Sequence, residues 1–356
     1  MKIKKEGLAQ SLKQMASAHM GNEFTGLRNG KDGMEFFIAG DNVISILHIG
    51  GKSDLPEGMV DSEALQAAIA QTKGEYVNID AEETDVSTLV IGAASLAMRD
   101  APEIDALDLK LTALPAAVAE LLADRLPDTF IVVPPKTVFG WELQVSKGVA
   151  RYGSTNGALA LYEECDIDCE DYRLTIPHET ALRICKLVPT ATGLAKNDRL
   201  LAVQNGAVTH YAPIMQDSAK IDLGAIQKLI DNPDAVYCTG AQRAGEVLQQ
   251  LLSFADKDSQ LLFTIDNGRM QARVSSKVGS NVADVARFAM KEKVNFSCTL
   301  RQVMLLAKYD SDNLRLGVGF RDKTPFVLLA DFDGSKKRKG RTHKFTHYYL
   351  ASTTGR

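Results

Sequence analysis

Several short stretches carry residue types that do chemistry in other proteins, and each lacks a companion that the chemistry needs. Gly50 to Ser53 reads GGKS, the ending of a phosphate-binding loop, but Ile46 stands where the loop's opening glycine is required, and a strand pattern precedes it with no helix after. Cys165 and Cys169 are spaced CxxxC with no second pair and no nearby histidine, so they do not complete a zinc site. His343 and His347 would share one side of a helix, yet HKFTHYYL alternates as a strand does and offers no third ligand. The acids of DIDCED, residues 166–171, read as a polar connector ahead of a strand rather than as a cation loop. No Ser-His-Asp or Cys-His set follows from linear order. The expectation is a protein with no catalytic residue, metal or cofactor.

What remains is charge. The chain has 41 Lys and Arg against 45 Asp and Glu, a net charge of -4, so any nucleic-acid role depends on where the bases sit. Candidates for sequence-independent phosphate contact lie within or at the ends of helical patterns: Lys13, Lys73, Arg125, Arg183, Lys186, Arg243, Arg301 and Lys308, with Lys196 and Arg199 just after one helix. The same windows hold Asp61, Glu63, Glu120, Asp124, Glu179 and Glu246, so an ordinary solvated helix face is the alternative. The densest signal is GSKKRKGRTHK, residues 334–344, where Lys336, Lys337 and Arg338 are followed by Lys339, Arg341 and Lys344. A glycine-flanked basic loop between two strands suits DNA contact; a solubilising loop is the other reading.

The elements that would position these side chains recur along the chain. Each unit is a short alternating strand, a capping residue, a helix, and two or more further strands. LDLKL (Leu107, Leu109, Leu111), YRLTI (Tyr172, Leu174, Ile176) and VNFSC (Val294, Phe296, Cys298) alternate with period two and then give way to helical spacing. Leu114, Val118, Leu121 and Leu122 make one apolar stripe, and Leu300, Val303, Met304 and Ala307 another. Asp61, Thr112 and Thr299 stand at or near helix starts, and Pro177 falls where a first-turn proline is tolerated. Helix starts near residues 7, 61, 112, 177, 241 and 299 give a unit of roughly 58 residues, enough for one helix and about four strands. Asn205-Gly206 and Asn267-Gly268 mark hairpins between strands. A generic α+β enzyme with evenly spaced helices shows the same pattern.

At 356 residues with 45% apolar content, the chain can bury more than one core, which excludes disorder and collagen-like or disulfide-dense scaffolds. The start MKIKKEGLAQ has no apolar signal region, and no apolar run approaches a membrane span, so a soluble, unexported, cytoplasmic protein is expected. Five scattered cysteines suit reduced thiols.

In order and spacing these segments resemble the DNA polymerase sliding clamps, most closely the bacterial beta type. VYCTGAQRAGEVLQQLL, LLFTIDNGRMQARVSS, VNFSCTLRQVMLLA and LRLGVGFRDKTPFVLL are similar to that family's last domain element by element. The segment from Gly58 to Pro102 resembles its second half-domain, and GSTNGALAL, Gly153 to Leu161, sits where the family carries a short Thr-polar-Gly turn. The resemblance implies an α+β chain of three tandem clamp domains, residues 1–103, 104–232 and 233–356. Each domain would hold two strand-helix-strand units, and the chain would close into a ring with helices inside and sheets outside. It implies a non-enzymatic homodimer around duplex DNA, with a replicative DNA polymerase and a clamp loader as partners and no membrane. It also implies a partner-peptide groove at Thr155, Gly157, Ala158, Leu159, Tyr348, Tyr349 and Leu350. Without the resemblance those residues read as core or edge strand. The chain departs from the family at Ala158 and Leu159, where a basic pair is usual, and in its ending HYYLASTTGR, which suggests a divergent member of phage or mobile-element type. Two alternatives stand beside the clamp: an α+β enzyme or ligand-binding protein with a site at a domain interface, and a monomeric clamp-like adaptor.

Overall fold

A computed structural model describes the chain except residues 20–23, 31–32, 41–42, 51–54, 56, 82–87, 101–109, 131–139, 215–220, 233, 241–243, 257–258, 278, 307–313, 339–340 and 356. Side chains are also undescribed at 239–240, 305, 336–338, 341, 343 and 354–355. Seven α-helices occur among the described residues: α1 (Lys5–Ser17), α2 (Ser62–Gln71), α3 (Ala116–Thr129), α4 (His178–Ile184), α5 (Leu223–Ile230), α6 (Ala244–Leu252) and α7 (Leu300–Leu306).

Local chemistry sets several of their starts. Asp61 caps α2, its Oδ1 accepting from the Ala64 amide at 2.7 Å. Thr299 and Gln302 form a capping box on α7, the Gln302 Oε1 accepting from the Thr299 amide at 2.7 Å. Thr112 caps nothing. It belongs to a two-residue strand, Thr112–Ala113, and α3 begins only after Pro115, whose carbonyl accepts from the Ala119 amide at 2.9 Å. The expected helix near 112 therefore starts later, where the proline supplies the first-turn geometry. Part of LDLKL lies outside the described residues.

Six strand-helix-strand-strand-strand units follow one another, with α5 inserted between the fourth and fifth. Consecutive units exchange their first strands. Lys2–Lys4 joins Tyr76–Ala81 while Gly58–Asp61 joins Phe24–Gly30. Thr112–Ala113 joins Gly193–Lys196 while Tyr172–Ile176 lies beside Trp141–Ser146. Val236–Gly240 joins Arg315–Arg321 while Val294–Thr299 joins Gln260–Asp266. Last strands then join across units. Ile44–Gly50 pairs with Val208–Pro213, completing an eight-stranded sheet, and Leu159–Asp166 pairs with Arg341–Ser352 inside a thirteen-stranded one.

The chain folds as two compact units, Met1–Pro127 with Ile176–Ser218, and Asp128–Thr175 with Ala219–Arg356. The first of these last-strand seams belongs to the first unit and the second seam to the second. In the first unit, Leu8, Leu12 and Met15 of α1 and Leu65 and Ile69 of α2 bury against Phe36, Leu47 and Ile79 of the sheets. In the second, Leu248 and Leu251 of α6 and Val303 of α7 meet Phe263, Phe296, Leu161 and Tyr349. A separate layer sets Leu223 and Ile226 of α5 on Ala160, Tyr162, Leu329 and Leu350.

Candidate nucleic-acid and peptide interfaces

Because helix side chains recur every 3.6 residues, a helix that buries one stripe shows its opposite side to solvent. Lys13 is exposed on α1, opposite the buried Leu8, Leu12 and Met15. Lys73 is exposed just beyond α2, and Lys186 and Arg199 are exposed beyond α4. Lys196 ends the strand Gly193–Lys196 and is half-buried. Arg301 is exposed on α7. Arg183 is half-buried on α4, and its positive charge adds to burial in holding the His19 imidazole down to about 4.

Arg125 does not belong with them. It is 5% exposed on α3, where Leu121, Leu122, Ala123 and Leu126 are buried as well, so its guanidinium is enclosed by protein and cannot meet a phosphate. Arg243 and Lys308 lie outside the described residues. Lys336, Lys337 and Arg338 end the long strand Thr324–Arg338, which turns back into Arg341–Ser352. Lys336, Lys337 and Arg338 thus lie in a paired strand and not in an irregular loop.

The peptide-groove candidates all fall in the second unit, around one turn and one seam. The Thr155 hydroxyl donates to the Leu159 carbonyl at 2.8 Å, and the Gly157 amide donates to that hydroxyl at 3.1 Å. Asn156 Oδ1 accepts from the amides of Ala158 and Leu159 at 3.0 and 2.7 Å. Gly157 takes φ of +83°, which a side chain would strain. The turn delivers Leu159 and Ala160 opposite Ala351 and Leu350.

Gln302 fastens this junction from α7. While its Oε1 holds the helix cap, its Nε2 donates to the Ala158 carbonyl at 3.1 Å and the Ser352 carbonyl at 3.0 Å. The Tyr349 hydroxyl donates to the Gln302 carbonyl. Neither Asn156 nor Gln302 stood among the sequence candidates, although the Thr-x-x-Gln spacing before an apolar run was a readable signal. Side chains at the junction divide into two groups. Leu159, Tyr349 and Leu350 are 2%, 1% and 3% exposed and form walls of the two cores, so they do not line an open groove. Gly157 and Ala158 are exposed, and Thr155 and Tyr348 are half-buried.

Each seam also carries a buried histidine directly opposite a polar partner. His210 faces Ser45 in register, its Nδ1 2.7 Å from Ser45 Oγ, and His19 Nε2 reaches the same hydroxyl at 2.8 Å. His347 faces Glu163, Nδ1 to Oε1 at 2.7 Å, with Phe332 against the ring at 5.0 Å. Among the described residues no group of three His, Cys, Asp or Glu is placed to hold a metal ion. No described helix is long and apolar enough to cross a membrane.

No protein-family model matches the chain. Its fold is that of the bacterial sliding clamps. The DNA polymerase sliding clamp of Caulobacter crescentus superposes with a TM-score of 0.72 at 14% identity, over 99% of this chain and 98% of that one. The DNA polymerase III subunit beta of Pseudomonas aeruginosa gives 0.72 at 13%, over 100% of both chains. The corresponding beta chain of Streptococcus pneumoniae gives 0.70 at 12%, over 100% and 99%. A curated sequence relative is the menaquinone reductase molybdopterin-binding-like subunit of Nitratidesulfovibrio vulgaris, 33% identical over 125 residues. That match spans 34% of this chain and only 17% of the relative.

Proposed function

We propose that this protein is a non-enzymatic processivity clamp, two copies of which close head to tail around duplex DNA and tether a replicative DNA polymerase. The observation that carries this reading is the pairing of last strands. The first and fourth units join through theirs, and the third and sixth units join through theirs. The last strands of the second and fifth units, Ala94–Ala97 and Gly279–Phe288, are left as edges. Among the described residues the first of these has a single neighbour, and the second has only a short further contact, near Phe288. If the same rule operates between chains, the second unit of one copy pairs with the fifth of another, and two such contacts close a ring. The whole-chain likeness to clamps supports the same arrangement.

On this reading the division into domains 1–103, 104–232 and 233–356 follows the strand exchanges. The setting is cytoplasmic, and a loader opens the ring. Lys13, Lys73, Arg183, Lys186, Lys196, Arg199 and Arg301 supply weak phosphate contacts that slide, because topology and not affinity retains the DNA. A partner peptide meets Thr155, Gly157, Ala158 and Tyr348 at the surface of the second seam. An enzyme would need convergent catalytic groups, and no other observation favours one.

The test is solution mass together with retention on circular and linearised DNA, at salt high enough to suppress simple phosphate contacts. A dimer that stays on circles and slips off linear DNA is expected. A monomer that treats both alike would sink the ring.

A further inference from the structure

The strands Thr324–Arg338 and Arg341–Ser352 run on together after their neighbours have stopped. On one side, pairing with Arg315–Arg321 ends at Asp331; on the other, pairing with Leu159–Asp166 ends at Thr346 opposite Glu164. Beyond those points the two strands still pair with each other, through Gly334 and Phe345, Ser335 and Lys344, Lys336 and His343, Lys337 and Thr342, to Arg338 and Arg341. A two-stranded ribbon therefore leaves the sheet. From Asp333 to Arg338 it extends about 17 Å at the usual rise of a strand.

Its root is built. The Phe345 ring lies across Gly334, where an added Cβ would come within 2.6 Å of it. The Thr346 hydroxyl donates to Asp333 Oδ1 at 2.8 Å. Ser335 and Lys344 still line a cavity with Val149, Cys165 and Asp166 of the neighbouring strands. Beyond them no other strand pairs with the ribbon among the described residues, and an isolated pair of strands is marginal in water. What it carries is charge. Lys336, Lys337, Arg338, Arg341 and Lys344 occupy it with no acid after Asp333, in a chain whose net charge is -4. Cross-strand partners share a face, so Lys336, Arg338 and Arg341 hold positions on one face and Lys337 and Lys344 on the other. A flat anionic surface would engage one face alone. A duplex groove has phosphates along both walls, and the major groove is wide enough to admit a two-stranded ribbon.

We infer that this ribbon is a nucleic-acid-binding arm that grips the phosphates of duplex DNA independently of ring closure. The inference deepens the clamp reading in that it takes DNA as the partner, but it assigns the affinity for open DNA to a separate structure. The closed ring holds DNA by topology, whereas the arm would hold DNA that has a free end, in a strongly salt-dependent way.

The full-length protein and a variant with Lys336→Ser, Lys337→Ser, Arg338→Ser, Arg341→Ser and Lys344→Ser would be titrated with linear duplex over a range of salt. Every phosphate that the arm ceases to neutralise lowers the slope of log affinity against log salt by about 0.9, so a slope lower by about 2 or more is expected. Lys336→Arg with Lys337→Arg and Lys344→Arg should keep the parental slope. Equal melting temperatures would show that the serine variant is folded. An unchanged slope in that folded variant overturns the arm. So does a variant that loses binding to polyglutamate but not to DNA, which would make the ribbon a site for an acidic protein. Retention on circles is read separately: its absence with the arm effect intact sinks the ring alone, and its presence without an arm effect sinks the arm alone.

Discussion

A histidine opposite a hydroxyl in a buried strand pair is held in its neutral form. Burial lowers His210 to about 4, with the nearby His19 adding to the effect, and the ring's Nε2 meets no hydrogen-bond partner among the described residues. A second proton would therefore enter without an acceptor. Burial likewise lowers His19 to about 4, and the Arg183 charge pushes the same way. In the unfolded chain both rings titrate near 6.5, so between that value and about 4 the unfolded state binds more protons than the folded one. Stability is fully present above pH 6.5 and declines as the pH falls toward 4, by on the order of 3 kcal/mol for His210. His210→Asn keeps a donor toward Ser45 and removes the titration. Its melting temperature should fall less steeply over that window than the parent's, and an equal slope would place the acid sensitivity elsewhere. Gln302 is the second residue on which much depends, because one amide serves a helix cap and two strand carbonyls. Gln302→Ala should cost about 1 to 2 kcal/mol in denaturant unfolding, from the missing cap and the two lost bonds to the Ala158 and Ser352 carbonyls. A change within a few tenths of zero would show that Ser352, whose amide donates to Ala158 at 2.8 Å, suffices.

Among the elements, α5 tells most about what a sequence shows. It begins at Asp222, whose Oδ1 accepts from the Ala225 amide at 2.9 Å, and it places Leu223 and Ile226 on the apolar strip of the central strands. Ile226→Ala should cost about 2 to 3 kcal/mol, felt chiefly as faster hydrogen exchange in residues 223–230, because a helix this short has little stability of its own. Uniform loss of protection throughout the second unit would mean that α5 unfolds only with the core. The cap and the spacing were there to be read, but eight residues lie below the length at which periodicity separates a helix from a connection. The alternating strands and the two Asn-Gly hairpins were legible because strand and turn chemistry are local. At the Asn267-Gly268 turn both residues take positive φ, as a two-residue hairpin requires. Arg125 misled for a different reason. It stands three, four and seven residues after Leu122, Leu121 and Val118, so helical spacing put it on the same buried stripe, and only its charge pointed to solvent. Leu159, Tyr349 and Leu350 are enclosed for a reason that strand pattern does not show. Alternation showed which side of a strand each would take, but both sides of Leu159–Asp166 are covered.

For the whole molecule, the partner of each edge strand is the quantity that local pattern cannot supply, since edge strands look alike until something pairs with them. The resemblance supplied the order of units, and the structure supplies the rule that last strands join last strands. On the proposed clamp reading, closure of a ring is a matter of two edges, Ala94–Ala97 and Gly279–Phe288, and the second bears Val282 at 41% exposure. Cationic side chains on both edges oppose pairing through like charge and through the cost of desolvating them. Ser95→Lys combined with Val282→Lys should raise the dimer dissociation constant by about tenfold or more, equivalent to about 1.4 kcal/mol. Ser95→Glu combined with Val282→Lys should restore much of it. Sedimentation at several concentrations measures the change, and retention on circular DNA should fall with the dimer fraction while binding to linear duplex at low salt persists through the ribbon. A double-lysine variant that remains dimeric and stays on circles would show that the subunits meet through some other surface. The strand-pairing rule would then stop at the end of one chain.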